Sequence, residues 1–116
     1  MKIANRDARQ YVQKQHPFEG SNLYAQFYCG NPSDCKPGDS GYVVYSYGEH
    51  WPLFVCLHIN GQDVWFENED SHSQSTARHR SQSHPHVDIQ YALSTERMIK
   101  LVTHGYTAIA RDRVAA

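Results

Sequence analysis

Along the chain, apolar positions follow a helical period, then a strand period, then vanish, then return at helical spacing. Ala8, Tyr11 and Val12 share one face of a short first helix, with Asn5 as its N-cap. That helix ends by Gln15 and His16, because Pro17 disfavours helix in the residue before it. Residues 18–21 form a turn, residues 23–28 have the composition of a strand, and residues 30–39 are dense in turn formers. Residues 42–47 are rich in β-branched and aromatic side chains and predict a further strand. After a tight connection at 48–50, residues 51–59 alternate. Leu53, Val55, Leu57 and Ile59 lie on one face, and Phe54, Cys56 and His58 on the other. Asn60-Gly61 is a hairpin signal, so residues 62–67 run back antiparallel.

The pattern then breaks. Between Phe66 and Val87 there is no Val, Ile, Leu, Met or aromatic residue, and residues 67–86 read as a long polar loop. Residues 87–91 predict another short strand. Ser94 or Thr95 caps a second helix carrying Met98, Ile99, Leu101 and Val102 as its apolar stripe, and Gly105 ends it. Residues 106–110 predict a last strand and residues 111–116 a frayed tail. These elements give one α+β domain over 1–116: an antiparallel sheet, a meander of three to five strands, with one or two helices packed on one face.

Composition adds little to this fold but limits the function. A net charge of −1 creates no global field to draw in nucleic acid or a membrane surface. The charge is segregated, however: residues 39–70 hold six acidic side chains and no Lys or Arg. No apolar run is long enough to span a bilayer, and no secretory signal pattern is present, which places the expected location in the cytoplasm with reduced thiols. Of the three cysteines, Cys29 and Cys35 flank the turn-rich loop at pairing distance in sequence, whereas Cys56 sits in an apolar strand.

Several chemistries compete for the polar stretch. His72, His79, His84 and His86 are close in sequence, and His84-x-His86 would set two imidazoles on one side of an extended chain. No Cys-x-x-Cys or His-Glu-x-x-His anchors a zinc site, and no metal or other cofactor is expected. Cys56 and His58 share a strand face as a thiol–imidazole pair. Ser73 or Thr76 with His79 and Asp70 makes a second arrangement, of hydroxyl, base and orienting acid. Arg78, Arg80 and Gln82 with neighbouring hydroxyls suit phosphate or nucleic acid. The remaining reading is structural, with Asn68, Asp70, Ser73, Thr76, His79 and Gln82 bonding the segment to itself.

Two motifs add context. Residues 42–54, YVVYSYGEHWPLF, resemble a YxVxSYGxHWPLF strand–turn–strand. Asn68-x-Asp70-x-x-Ser73-x-Ser75-Thr76-x-x-His79-x-x-Gln82-x-x-Pro85 resembles an NxDxxSxTTxxHxxQxxP segment, with Ser75 in place of Thr and His72 where Tyr is usual. Residues 18–23 are similar as well. Together they resemble a family of small, mostly uncharacterised proteins of tailed phages, prophages and plasmids. The resemblance implies a non-enzymatic accessory protein in the host cytoplasm that binds a host protein, such as a component of a CRISPR-type defence complex. The expected binding residues are Asn68, Asp70, Ser73, Thr76, Arg78, His79, Arg80 and Gln82 in the polar segment, and Tyr45, Tyr47, His50, Trp51 and Trp65 as an aromatic surface. Nucleic-acid or phosphate-ligand binding through residues 68–85 is the alternative, a small Ser/Thr–His or Cys–His enzyme a second one. Homodimerisation through a strand edge is compatible with either.

Overall fold

The strand-forming runs assemble, in chain order, into one six-stranded sheet: β1 Phe18–Glu19, β2 Leu23–Tyr28, β3 Gly41–Ser46, β4 Pro52–Ile59, β5 Gln62–Asn68 and β6 Tyr91–Leu93. The structure is a computed structural model and describes residues 2–28, 41–59, 61–70 and 74–104. Cys29, Cys35, the loop 30–39, Asn60, Ser73, Gly105, the expected strand 106–110 and the tail 111–116 lie outside the described residues.

β1 to β5 form an antiparallel meander, but β6 pairs with β5 in parallel, Phe66 opposite Tyr91 and Asn68 opposite Leu93. The sheet is therefore mixed, not purely antiparallel. The cause is a crossover: a parallel neighbour requires the chain to travel back along the sheet, commonly in a helix. Here the helix is α2, Gln74–Ser83, inside the expected polar loop. The last strand starts at Tyr91, not Val87. His86 takes a left-handed conformation (φ 55°). Trp65 and Gln90 then exchange bonds, Trp65 N–H to Gln90 Oε1 and Gln90 N–H to the Trp65 carbonyl, just before pairing begins.

Helices cover both faces of the sheet, where the sequence predicted one. A 3₁₀ turn (Asn5–Asp7) leads into α1, Ala8–Gln13, and α3 spans Thr95–His104. Ala8 and Val12 of α1 pack with Tyr42, Val44, Phe54, Cys56 and Trp65. Met98 and Leu101 of α3 pack with the alternate set, Val43, Tyr45, Val55 and Phe66. Adjacent strand residues point to opposite faces, so these are two cores on one sheet. Every residue of β3 is buried, which explains why Val43 and Val44 are both apolar. Burying each large side chain of this kind is worth about 1.5–3 kcal/mol. Ile99, expected in the apolar stripe of α3, is instead exposed.

Of the two predicted caps, that of the first helix is absent and that of the last is present. Asn5 does not cap α1. Its Nδ2 donates to the Ser21 carbonyl and its Oδ1 accepts from Ser21 N–H, clasping the turn after β1. Gly20 faces this clasp so closely that a Cβ would fall 2.3 Å from Asn5 Oδ1. Ser94 caps α3, its Oγ accepting from Arg97 N–H at 3.3 Å.

Candidate functional site

α2 has no apolar face to bury. Its inward positions are Thr76, His79 and Ser83, all buried and spaced to lie on one side of the helix. Hydrogen bonds anchor it. Arg9 of α1 donates through Nε to the His84 carbonyl and through a terminal nitrogen to the Ser81 carbonyl, both at 2.8 Å. Gln13 donates to the Pro85 carbonyl. A guanidinium at the negative end of a helix satisfies carbonyls that have no partner within it.

At the other end of the segment, Asn68, Asp70 and Thr95 interlock. Asn68 is fully buried at the end of β5, donating to the Pro52 carbonyl and to Thr95 Oγ1, while its Oδ1 accepts from Asp70 N–H. Asp70 Oδ2 accepts from Thr95 N–H at 2.7 Å, at the first turn of α3. Bonds from the Thr95 backbone and then its hydroxyl hold the Asp70 carboxyl below its ordinary range. Arg80 donates to the Asp70 carbonyl at 2.6 Å.

Between the two lies the Ser46–His79 pair. Ser46 Oγ and His79 Nδ1 share a 2.7 Å hydrogen bond inside the molecule, and burial, then the charge of Arg78, pushes the His79 pKa down. The bond partner is in the sheet, not in the polar segment itself. Tyr47 lies over this pair, its ring 5.3 Å from that of His79. Tyr47 is 49% exposed and holds φ at 67°, with its N–H bonded to the Asn22 carbonyl. A bulky side chain in the left-handed region is a strained outlier, and such strain concentrates at functional surfaces.

The predicted chemistry is thus largely consumed internally. Among the described members of the set, Asn68, Asp70, Thr76, His79 and Arg80 are structural links, Gln82 is half-buried and Arg78 is exposed. Of the two guanidiniums invoked for phosphate, that of Arg80 is bonded to the Asp70 carbonyl and Arg78 is exposed. Asp70 is engaged with Thr95, not with His79, so the hydroxyl–base–acid arrangement is not assembled. His58 pairs with Asp63 across the β4–β5 hairpin, while Cys56 is buried and its thiol is pushed up to about 12, mainly by burial. His84 accepts from His86 N–H through Nδ1, so the chain turns there and is not extended. Among the described residues no group of three or more His, Cys, Asp or Glu side chains is placed to hold a metal ion. No helix among them is long and apolar enough to cross a membrane.

No family model matches the chain, no curated protein matches it in sequence, and no solved structure matches it in fold.

The aromatic set divides as well. Tyr45 and Trp65 are core residues and Trp51 is half-buried against the α1-side core, whereas Tyr47 and His50 are exposed. Sequence reasoning missed the ground beside Tyr47. An open groove of about 570 Å³ runs along the β1–β2 corner, lined by Phe18, Glu19, Asn22, Tyr24, Gln26 and Tyr47 among others. Phe27, further along β2, is 54% exposed. The only sequence signal was the Tyr-rich composition of these strands.

Proposed function

We propose that this is a non-enzymatic binding protein, a phage-type accessory protein that engages a host protein, directed at host defence, through the surface centred on Tyr47. The observation that carries this reading is Tyr47 itself. It is a large, exposed aromatic ring held in a costly backbone conformation, backed by a buried Ser46–His79 bond and bordered by a groove. Rigid aromatic side chains with little conformational freedom left to lose are the usual anchors of protein interfaces. The burial of Ser46, His79 and Cys56 supports binding over catalysis, since none of the three presents its reactive atom to a substrate.

The test is affinity capture from host lysate with the wild-type protein and Tyr47→Ala in parallel, with folding of both checked by circular dichroism. A stoichiometric partner retained by the wild type and lost by the variant supports the proposal. Absence of any stoichiometric partner, or equal capture by both proteins, overturns it.

A further inference from the structure

The groove beside Tyr47 has a distinct chemistry. Glu19 and Tyr24 are directly opposed across β1 and β2, so their side chains stand on the same face about 5 Å apart at Cβ. Tyr24 is in turn opposite Tyr45, with the two rings 5.2 Å apart. The row therefore reads carboxylate, aromatic, aromatic across three strands. Tyr24 is half-buried, and it lines the groove together with the exposed Tyr47. Among the described residues no Lys or Arg lines the groove. Glu49, exposed in the turn after β3, adds a second negative charge close enough to raise the pKa of Tyr24 after burial has done so. Among the described residues neither Glu19 nor Glu49 has a side-chain hydrogen bond or ion pair. Lys2, bridged to Glu19 along the backbone, makes no ion pair with it.

We infer that the groove receives an arginine side chain of the protein partner, its guanidinium stacked on Tyr24 and paired with the carboxylate of Glu19. A planar, weakly hydrated cation suits an aromatic face beside a carboxylate better than a compact ammonium does. The acidic bias of the segment from Asp39 to Asp70 favours approach of such a group. Lys2 is then a competing charge at the rim. The inference rests on the protein-binding reading, but its test does not need the partner.

N-acetyl-arginine amide, with its neutral isostere N-acetyl-citrulline amide as control, is titrated into the full chain and followed by amide NMR. Saturable shifts at Glu19, Tyr24, Gln26 and Tyr47 are expected with the arginine compound alone. Glu19→Gln with Glu49→Gln should weaken that binding about fivefold, and Lys2→Gln should tighten it. No saturable shift, equal response to citrulline, or indifference to both sets of substitutions overturns the inference. Arginine binding without any captured partner rejects the host-protein reading and keeps the subsite. A captured partner without arginine binding rejects the subsite alone.

Discussion

The Ser46 hydroxyl and His79 Nδ1, 2.7 Å apart, join the end of a strand to the middle of a helix in a place closed to solvent. Apolar contact does not hold α2 at this point, so the polar contact must. Removing one partner leaves the other buried without its bond, which costs about 1–3 kcal/mol. His79→Ala and Ser46→Ala should each lower unfolding free energy by that amount in urea titrations. Arg78→Ala, on the exposed side of the same helix, should stay within about 0.5 kcal/mol.

The same pair makes stability depend on pH. His79 titrates below its ordinary value, first because it is buried and then because of Arg78. As pH falls, the unfolded chain therefore takes up this proton before the native one does. Stability is full above the unfolded value of about 6.5, declines as pH drops below it, and levels off beneath the native value. His84, lowered chiefly by burial, acts in the same direction. The urea midpoint should fall between about pH 8 and about pH 5, and the fall should be smaller in His79→Gln.

Arg9 is the other anchor of α2. Arg9→Ala removes bonds to the Ser81 and His84 carbonyls together and should cost about 1–3 kcal/mol. Hydrogen exchange should accelerate in α2 before it does in β3 or β4, and uniform acceleration across the chain would contradict the anchoring role.

Cys56 is inert in the native state. With its thiol pushed up to about 12 and no exposed surface, it should resist iodoacetamide at neutral pH and react fully once the chain is unfolded, as mapped by peptide mass spectrometry.

Tyr47→Asn separates fold from binding. Asn accepts a left-handed backbone more readily than Tyr, so relief of strain should offset the lost ring contact with His79. Stability should change by less than about 1 kcal/mol, while partner capture is lost.

The meander was legible because its information is local. Ile59 pairs with Gln62 across a two-residue connection in which Gly61 has φ 78°, as Asn-Gly predicts. Ser94 capping Arg97 and the buried Met98 and Leu101 were legible for the same reason. α2 was not, because what makes it a helix lies far off in sequence, in Arg9, Gln13 and Ser46. Nothing in the polar composition of the segment encodes those partners. Tyr45 and Trp65 were misplaced on the surface because an aromatic in a strand gives no sign of whether a helix covers its face. Here α3 covers Tyr45 and α1 covers Trp65.

The lack of an apolar face on α2 also fixes an order of events in folding. Short helices are marginal in water unless tertiary contacts hold them. Hairpins such as β4–β5 close quickly, because few residues separate their ends. α2 has nothing to dock on until β3 and α1 are in place, and β6 cannot join β5 until the α2 crossover has formed. The chain should therefore reach a meander-like transition state in which substitutions in β3 and β4 slow folding. Substitutions in α2 and β6 should instead act almost wholly on the rate of unfolding.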